Sequence, residues 1–248
     1  MIEVLKGNIV KELVMLKKYK LSGFFTILNS FILFFTLYFL FNNIIEMDEQ
    51  SKAMFIISYV LWYFSLSLIT EAGWIIVTET NKGTIEQWLL SPFPLWYLLL
   101  SKMLATNLIN IFRTVLLLVL IMVLIQINLL MTLETFIVLI FSIVGMLGAG
   151  IIFGGIALLY RRIRDIIPIF QYILLAVISL PYSESLYSNL IPIYSVSSFF
   201  KKIQLNIEIS FYDYIFFIIS SLFFFIFGVV FFINCEIKIK KDGTLGKT

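Results

Sequence analysis

Two ionisable residues, Glu71 and Arg113, lie inside long apolar stretches of the chain. A charge within a membrane-spanning segment is costly, so such a residue is a functional candidate by default. Neighbouring antiparallel helices would bring the two side chains close enough to pair, whereas the long arginine stem would also let the guanidinium reach lipid headgroups. The sequence leaves open an ion pair, snorkelling of Arg113, and a place for both residues on a substrate pathway.

The residue types that most enzymes use for chemistry are scarce here. The chain has no His, the commonest general base and metal ligand, and it has one cysteine, Cys235. It contains no Gly-x-x-x-x-Gly-Lys-Ser/Thr phosphate loop, no His/Cys/carboxylate cluster of metal-ligand spacing and no Gly-x-Ser-x-Gly elbow. We therefore predict no catalytic residue and no metal site, so that energy for any work at a membrane would come from a partner.

The composition points to an all-α integral membrane protein. Of the 248 residues, 61% are hydrophobic and 13% are charged, and the mean hydropathy is +1.03. A soluble domain is about half apolar and about a quarter charged. The net charge of +3 is too small to indicate a nucleic-acid partner. We predict a single transmembrane domain over residues 1–248, with the lipid bilayer as its surroundings.

Six apolar segments approach the length of about 20 residues that a membrane-spanning helix needs. They are 24–45, 53–77, 104–127, 135–160, 166–180 and 214–233. The fifth segment is the shortest, because Pro181 follows it. It either continues past the proline as a kinked helix or crosses the membrane incompletely.

The distribution of the 18 Lys and Arg residues predicts the orientation. An excess of these residues stays in the cytoplasm, and one set of connecting regions holds nearly all of them. The opposite set holds only Lys52, Lys201 and Lys202. Both termini are therefore predicted to be cytoplasmic in a multi-pass protein of the cell membrane, which requires an even number of spans.

The first 23 residues are predicted to form an amphipathic helix on the cytoplasmic face, and residues 235–248 a cytoplasmic tail. Apolar residues recur at steps of three and four along the first helix, as expected for one apolar stripe; they are Ile2, Leu5, Ile9, Leu13 and Leu16. The flanking lysines would reach lipid phosphates or an acidic partner surface. The helix either fixes the topology or contacts a partner.

The segment that follows the second span is predicted to form a short helix of its own, 84–90. Asn81 and Gly83 can end the preceding helix, because both tolerate the left-handed conformation of a C-cap. Thr84, followed three residues later by Gln87, fits a capping box that begins a new helix.

A further helix start is predicted at Ser91 and Pro92, a polar cap followed by a proline at the first helical position. The helix of the third span would begin somewhere after Pro94. The short helix 84–90 would either transmit force from a soluble partner or be a surface turn that joins two spans.

Two more patterns concern packing. Gly150 and Gly154 make a small-xxx-small step, which permits close helix approach and which we assign to packing within the chain. In the predicted outer segment 181–213, residues 191–194 and 196–200 are too apolar for a flexible loop. A re-entrant or interfacial helix would bury them while protein shields their backbone from lipid.

The segment from Glu79 to Lys102 resembles the signature of ABC-2 type permeases, the membrane subunits of ATP-driven exporters. Family members typically show an acidic residue, Gly-Thr-hydrophobic-Glu, two Leu, Ser-Pro and a later Gly-Lys. The residues that carry the resemblance are Glu79, Gly83, Thr84, Ile85, Glu86, Leu89, Leu90, Ser91, Pro92 and Lys102. Ser101 replaces the usual glycine, and Leu95-Trp96 stand where many members have an arginine. The predicted six spans, N-terminal helix and cytoplasmic ends extend the resemblance to the whole chain.

The resemblance implies that helix 84–90 is the coupling helix that docks on a separate ATP-binding subunit, which itself binds ATP and Mg²⁺. The partner-coupling residues would be Glu79, Gly83, Thr84, Glu86, Gln87, Leu90, Ser91 and Pro92. It also implies a homodimer, or a pair with a related permease, that exports an amphipathic, lipid-like, drug-like or peptide substrate.

Other functions stay open. A secondary transporter would bind its substrate and coupling ion near the midplane, often within inverted repeats, and no convincing internal repeat is visible. A membrane-bound immunity or assembly protein would have no transport cycle. A membrane-embedded enzyme is the least supported, for lack of a catalytic set.

Overall fold

The computed structural model describes residues 2–160, 165–181 and 191–242, and every regular element in these ranges is a helix. Connections between consecutive elements within each range are short. The elements are α1 (Ile2–Lys18), α2 (Lys20–Ile45), α3 (Glu49–Asn81), α4 (Ile85–Leu89), α5 (Leu95–Ile125), α6 (Leu133–Leu159), α7 (Ile166–Ser179), α8 (Pro192–Gln204) and α9 (Phe211–Asp242).

Five of these helices, α2, α3, α5, α6 and α9, are long and apolar enough to cross a membrane. The prediction of a helical multi-pass membrane protein is confirmed at this level. The 33 residues of α3 extend about 50 Å, well beyond the ~30 Å hydrocarbon core. The apolar helix α7 has only 14 residues. A kinked continuation past Pro181 was one of its two predicted alternatives, and the stretch 182–190 lies outside the described residues.

Contacts between distant residues define two ends of the helix bundle. At one end, which we name the α4 end, Glu79 near the end of α3 pairs with Lys102 near the start of α5. At the other, which we name the α8 end, the Tyr214 hydroxyl donates to Glu134 at 3.0 Å. Helices α3 and α5 therefore run antiparallel to each other, whereas α6 and α9, which both begin at the α8 end, run parallel.

The core is centred on α6, which packs most extensively against α9 and α3. A Cβ on Gly150 would lie 2.9 Å from the Leu68 carbonyl oxygen of α3, and one on Gly154 would lie 2.8 Å from Leu99 of α5. The small-xxx-small step thus lets α6 approach α3 and α5 closely, and its assignment to packing within the chain is confirmed.

Helix α8 covers the C-terminal end of α7. The ammonium of Lys201 donates to the Ile178 and Leu180 carbonyls at 2.8 and 2.7 Å, and the Ser197 hydroxyl donates to Ile178 at 2.8 Å. The last carbonyls of a helix lack hydrogen-bond donors within that helix. At the end of α7, side chains of α8 are the donors. Residues 191–194 were predicted to be buried, but Ile191 is 51% exposed. Residues 196–200, predicted likewise, are all buried.

Helix α1 packs along α5, where Asn8 donates to the Ser101 hydroxyl at 3.0 Å. Leu5, Ile9 and Leu16 of the predicted stripe are partly buried, but Leu13 is 52% exposed. The neighbouring Glu12 lies beside α5, where it lines a cavity together with Thr106 and Arg113.

Candidate coupling surface at the α4 end

Helix α3 ends in a Schellman motif. The Thr84 N–H donates to the Glu79 carbonyl and the Gly83 N–H to the Thr80 carbonyl, both at 3.0 Å, which is the paired 6→1 and 5→2 bonding of this motif. Gly83 has φ of +70°, a conformation that residues with a Cβ adopt at a cost. The prediction that Gly83 ends the helix is confirmed, while Asn81 remains its last helical residue.

The predicted capping box between Thr84 and Gln87 is wrong. Thr84 has helical φ and ψ, and its side chain caps no backbone N–H of α4. Its hydroxyl instead lies against the carboxylate and the backbone carbonyl of Glu79. A buried carboxylate accepts a hydrogen bond from a hydroxyl more strongly than a neutral group does. Thr84 therefore stabilises the C-terminal end of α3 instead of capping α4. The short helix itself is present, as α4.

Lys102 of α5 ties the three elements together. Its ammonium pairs with Glu79 and lies 5.5 Å from the centre of the Trp88 ring in α4. Only 12% of the Lys102 side chain and 7% of the Glu79 side chain are exposed. Ile85 of α4, 4% exposed, packs into the core beside them. Helix α4 is therefore fixed to both α3 and α5 despite its length of one turn and a half.

The outward side of this segment consists of Glu86, Gln87, Leu90 and Pro92, which we name the coupling surface. Leu90 is 87% exposed and adds an apolar side chain to the polar ones of Glu86 and Gln87. Of the predicted coupling residues, these four face outward, while Glu79, Gly83 and Thr84 hold the segment in place.

The predicted helix start at Ser91 and Pro92 is wrong, and the predicted start of the next helix after Pro94 is confirmed. The Ser91 hydroxyl accepts a hydrogen bond from the Phe93 N–H at 3.3 Å in a turn, and α5 begins at Leu95. Phe93 precedes a proline, which disfavours the helical conformation there. The stretch 91–94 is therefore a rigid turn beside the coupling surface.

Glu71 and Arg113 lie in one polar region between α1, α3 and α5, but no ion pair joins them within residues 2–160, which contain both. Glu71 lies near Thr106, Glu12, Lys102 and Arg113, but the Thr106 hydroxyl donates to the Lys102 carbonyl at 2.6 Å. The Arg113 guanidinium donates to Asn110 at 3.4 Å. Of the alternatives that the sequence left open, a direct pair is thus not formed.

Two features of this region escaped the sequence interpretation. Asn107, Asn110 and Arg113 follow one another at steps of three, and the Asn110 amide donates to Asn107 at 3.4 Å. That spacing places them on one side of α5 and was a readable signal. Glu12 gave no such signal, because its position beside Arg113 depends on how α1 packs against α5.

A comparison of the sequence with known protein families finds no match, and a comparison with curated proteins finds no significant relative either. Function must therefore be argued from the residues and their arrangement. Two arrangements are available at the α4 end: the anchored coupling surface, and the polar region around Glu71 and Arg113. Within the described residues, no group of His, Cys, Asp and Glu has the arrangement of a metal site.

Proposed function

We propose that the chain is the permease subunit of an ATP-binding-cassette exporter. The observation that carries this proposal is the coupling surface: an exposed short helix whose other side is tied to α3 and α5 by Glu79, Lys102 and Trp88. A separate subunit binds ATP with Mg²⁺ and docks on Glu86, Gln87 and Leu90. Because α4 is held to both long helices, a push on it moves α3 and α5 together.

In this proposal the α4 end is cytoplasmic and the chain crosses the cell membrane six times. Helix α6 ends near the α4 end and α9 begins at the α8 end, so the chain between them must pass from one end to the other. Helix α7 makes that passage with about 21 Å of helix, and α8 completes it as a re-entrant segment. The concentration of Lys and Arg at the α4 end supports this orientation.

Two copies, or this chain and a related permease, form the export pathway. A cavity of about 760 Å³ lies between α2, α3, α7 and α8, and apolar residues such as Leu37, Phe55 and Leu175 form much of its wall. Ser58, Gln50 and Lys201 add polar groups. Mixed walls of this kind fit an amphipathic substrate, such as a lipid, a drug or a peptide, better than a small ion.

The test of this proposal is Glu86→Lys. We expect the variant to insert normally but to lose assembly with the ATP-binding subunit, or its stimulation of ATP hydrolysis, by tenfold or more, because a charge reversal at an interface costs several kcal/mol. The measurement is co-purification and ATPase activity of the detergent-extracted complex. Glu208→Lys, an exposed position at the α8 end, is the matched control. Equal coupling in both variants would contradict the docking role of α4.

A secondary transporter is the second candidate, favoured by the polar region in which Glu71 and Arg113 would line a substrate pathway. A carboxylate of this kind can exchange a proton or bind a cation. The two functions differ in energy source. Transport in vesicles that follows an ion gradient and ignores ATP would favour the second candidate over the exporter.

A further inference from the structure

A cavity of about 270 Å³ with a mixed polar and apolar wall lies where the end of α1, the start of α2 and the middle of α5 meet. Its lining includes Glu12 and Tyr19 of α1 and its connection, Ser22 of α2, and Asn110 and Arg113 of α5. The proposed coupling does not use this cavity, because the coupling surface lies on α4.

The cavity wall includes two opposite charges, those of Glu12 and Arg113, and the Glu71 carboxylate lies near both but outside the lining. Among the described residues, neither Glu12 nor Arg113 forms an ion pair. Arg113 has five donors, and its hydrogen bond to Asn110 is long, at 3.4 Å. Its guanidinium lies against Gly23, 3.5 Å from where a Cβ would be. The walls therefore offer a cation and an anion separately, which is complementary to a ligand that carries both charges.

The surroundings of the cavity are those of a lipid-facing surface. Helices α2 and α5 are both candidate membrane spans. Phe24, next to Gly23, and Phe112, next to Arg113, are 59% and 65% exposed. Acyl chains can pack along these rings while a headgroup enters the cavity. Tyr19, 53% exposed, is of the residue type that is enriched at the level of lipid headgroups.

We propose that this cavity binds the headgroup of a phospholipid that carries a phosphate and a primary ammonium, as phosphatidylethanolamine does. The phosphate binds Arg113, which suits phosphate oxygens through its planar fork of donors. The ammonium donates to the Glu12 carboxylate. A choline headgroup has no N–H to donate to Glu12, and a glycerol headgroup brings no positive charge.

The experiment is native mass spectrometry of the purified full-length chain with phosphatidylethanolamine, phosphatidylcholine and phosphatidylglycerol of identical acyl chains. We expect phosphatidylethanolamine to bind about tenfold more tightly than phosphatidylcholine, the ratio that one charge-assisted hydrogen bond provides. Glu12→Gln should bring this ratio close to one, because the amide keeps the shape but loses the charge. Arg113→Gln should weaken both lipids.

Glu3→Gln, an exposed carboxylate on the same helix, is the matched control and should keep the wild-type ratio. Helical circular dichroism and elution volume confirm that each variant is folded. Arg113→Lys keeps the charge but loses the planar fork of donors, so it should weaken both lipids less than Arg113→Gln does. The proposal is overturned if Glu12→Gln keeps the wild-type ratio or if phosphatidylglycerol binds most tightly. It is also overturned if free phosphoethanolamine at millimolar concentration displaces the lipid, since the ligand would then be the soluble headgroup.

Discussion

Replacing Lys102 by methionine is expected to destabilise the protein by about 3 kcal/mol, the lower part of the range for breaking a buried ion pair. The substitution leaves the Glu79 carboxylate, whose side chain is 7% exposed, without its cation and with only Thr84 as a hydrogen-bond donor from a side chain. It also removes the cation from the face of Trp88. The free energy of unfolding in mixed detergent micelles measures this loss.

Two controls separate the ion pair from general effects of the substitution. Lys82→Met removes an exposed charge three residues from Glu79 and should change stability by less than about 0.5 kcal/mol. Glu79→Gln combined with Lys102→Met removes the unpaired charge and should recover more than half of the loss. Equal stability of the Lys82 and Lys102 variants would contradict the anchoring of α4.

Gly148→Ala is expected to destabilise the contact between α6 and α9 by at least about 2 kcal/mol, as overpacking of a tight core does. A Cβ at Gly148 would lie 2.5 Å from the carbonyl oxygen of Phe224 and 2.5 Å from the Cα of Phe225. These are main-chain atoms of α9, so rotation of a side chain cannot relieve the overlap. The two helices must move apart.

Gly7→Ala is the matched control, because nothing lies within 4 Å of a Cβ at that position. An alanine in an exposed helix stabilises it relative to glycine by up to about 1 kcal/mol, so the two variants should change stability in opposite directions. Unfolding in mixed micelles reports both. A Gly148→Ala protein as stable as the wild type would show that α6 and α9 do not cross this closely.

The lengths of the apolar segments correctly predicted a helical membrane protein, because the thickness of a bilayer fixes the length of a spanning helix. They predicted helix ends less well. The apolar segment 104–127 marks only part of α5, which begins at Leu95, because Ser101 and Lys102 interrupt the apolar run while the helix continues through them.

At the candidate site, the sequence predicted the helices more reliably than the side-chain contacts between them. Gly83 was correctly predicted as a helix end, because its requirement is local backbone conformation. Thr84 was assigned to the wrong helix, because the Glu79 carboxylate, five residues earlier, offered its hydroxyl a stronger acceptor. The placement of Trp88 against Lys102 depends on how α3, α4 and α5 pack together, which local patterns do not encode.

The proposed exporter function is tested most directly by ATP hydrolysis that co-purifies with the tagged full-length chain from its native membrane. We predict that an ATP-binding subunit elutes with the chain at a fixed stoichiometry, and that Leu90→Asp on the coupling surface abolishes its stimulated hydrolysis without reducing insertion. Substrate flux that continues in ATP-depleted vesicles and stops when ion gradients are collapsed would contradict the proposed function.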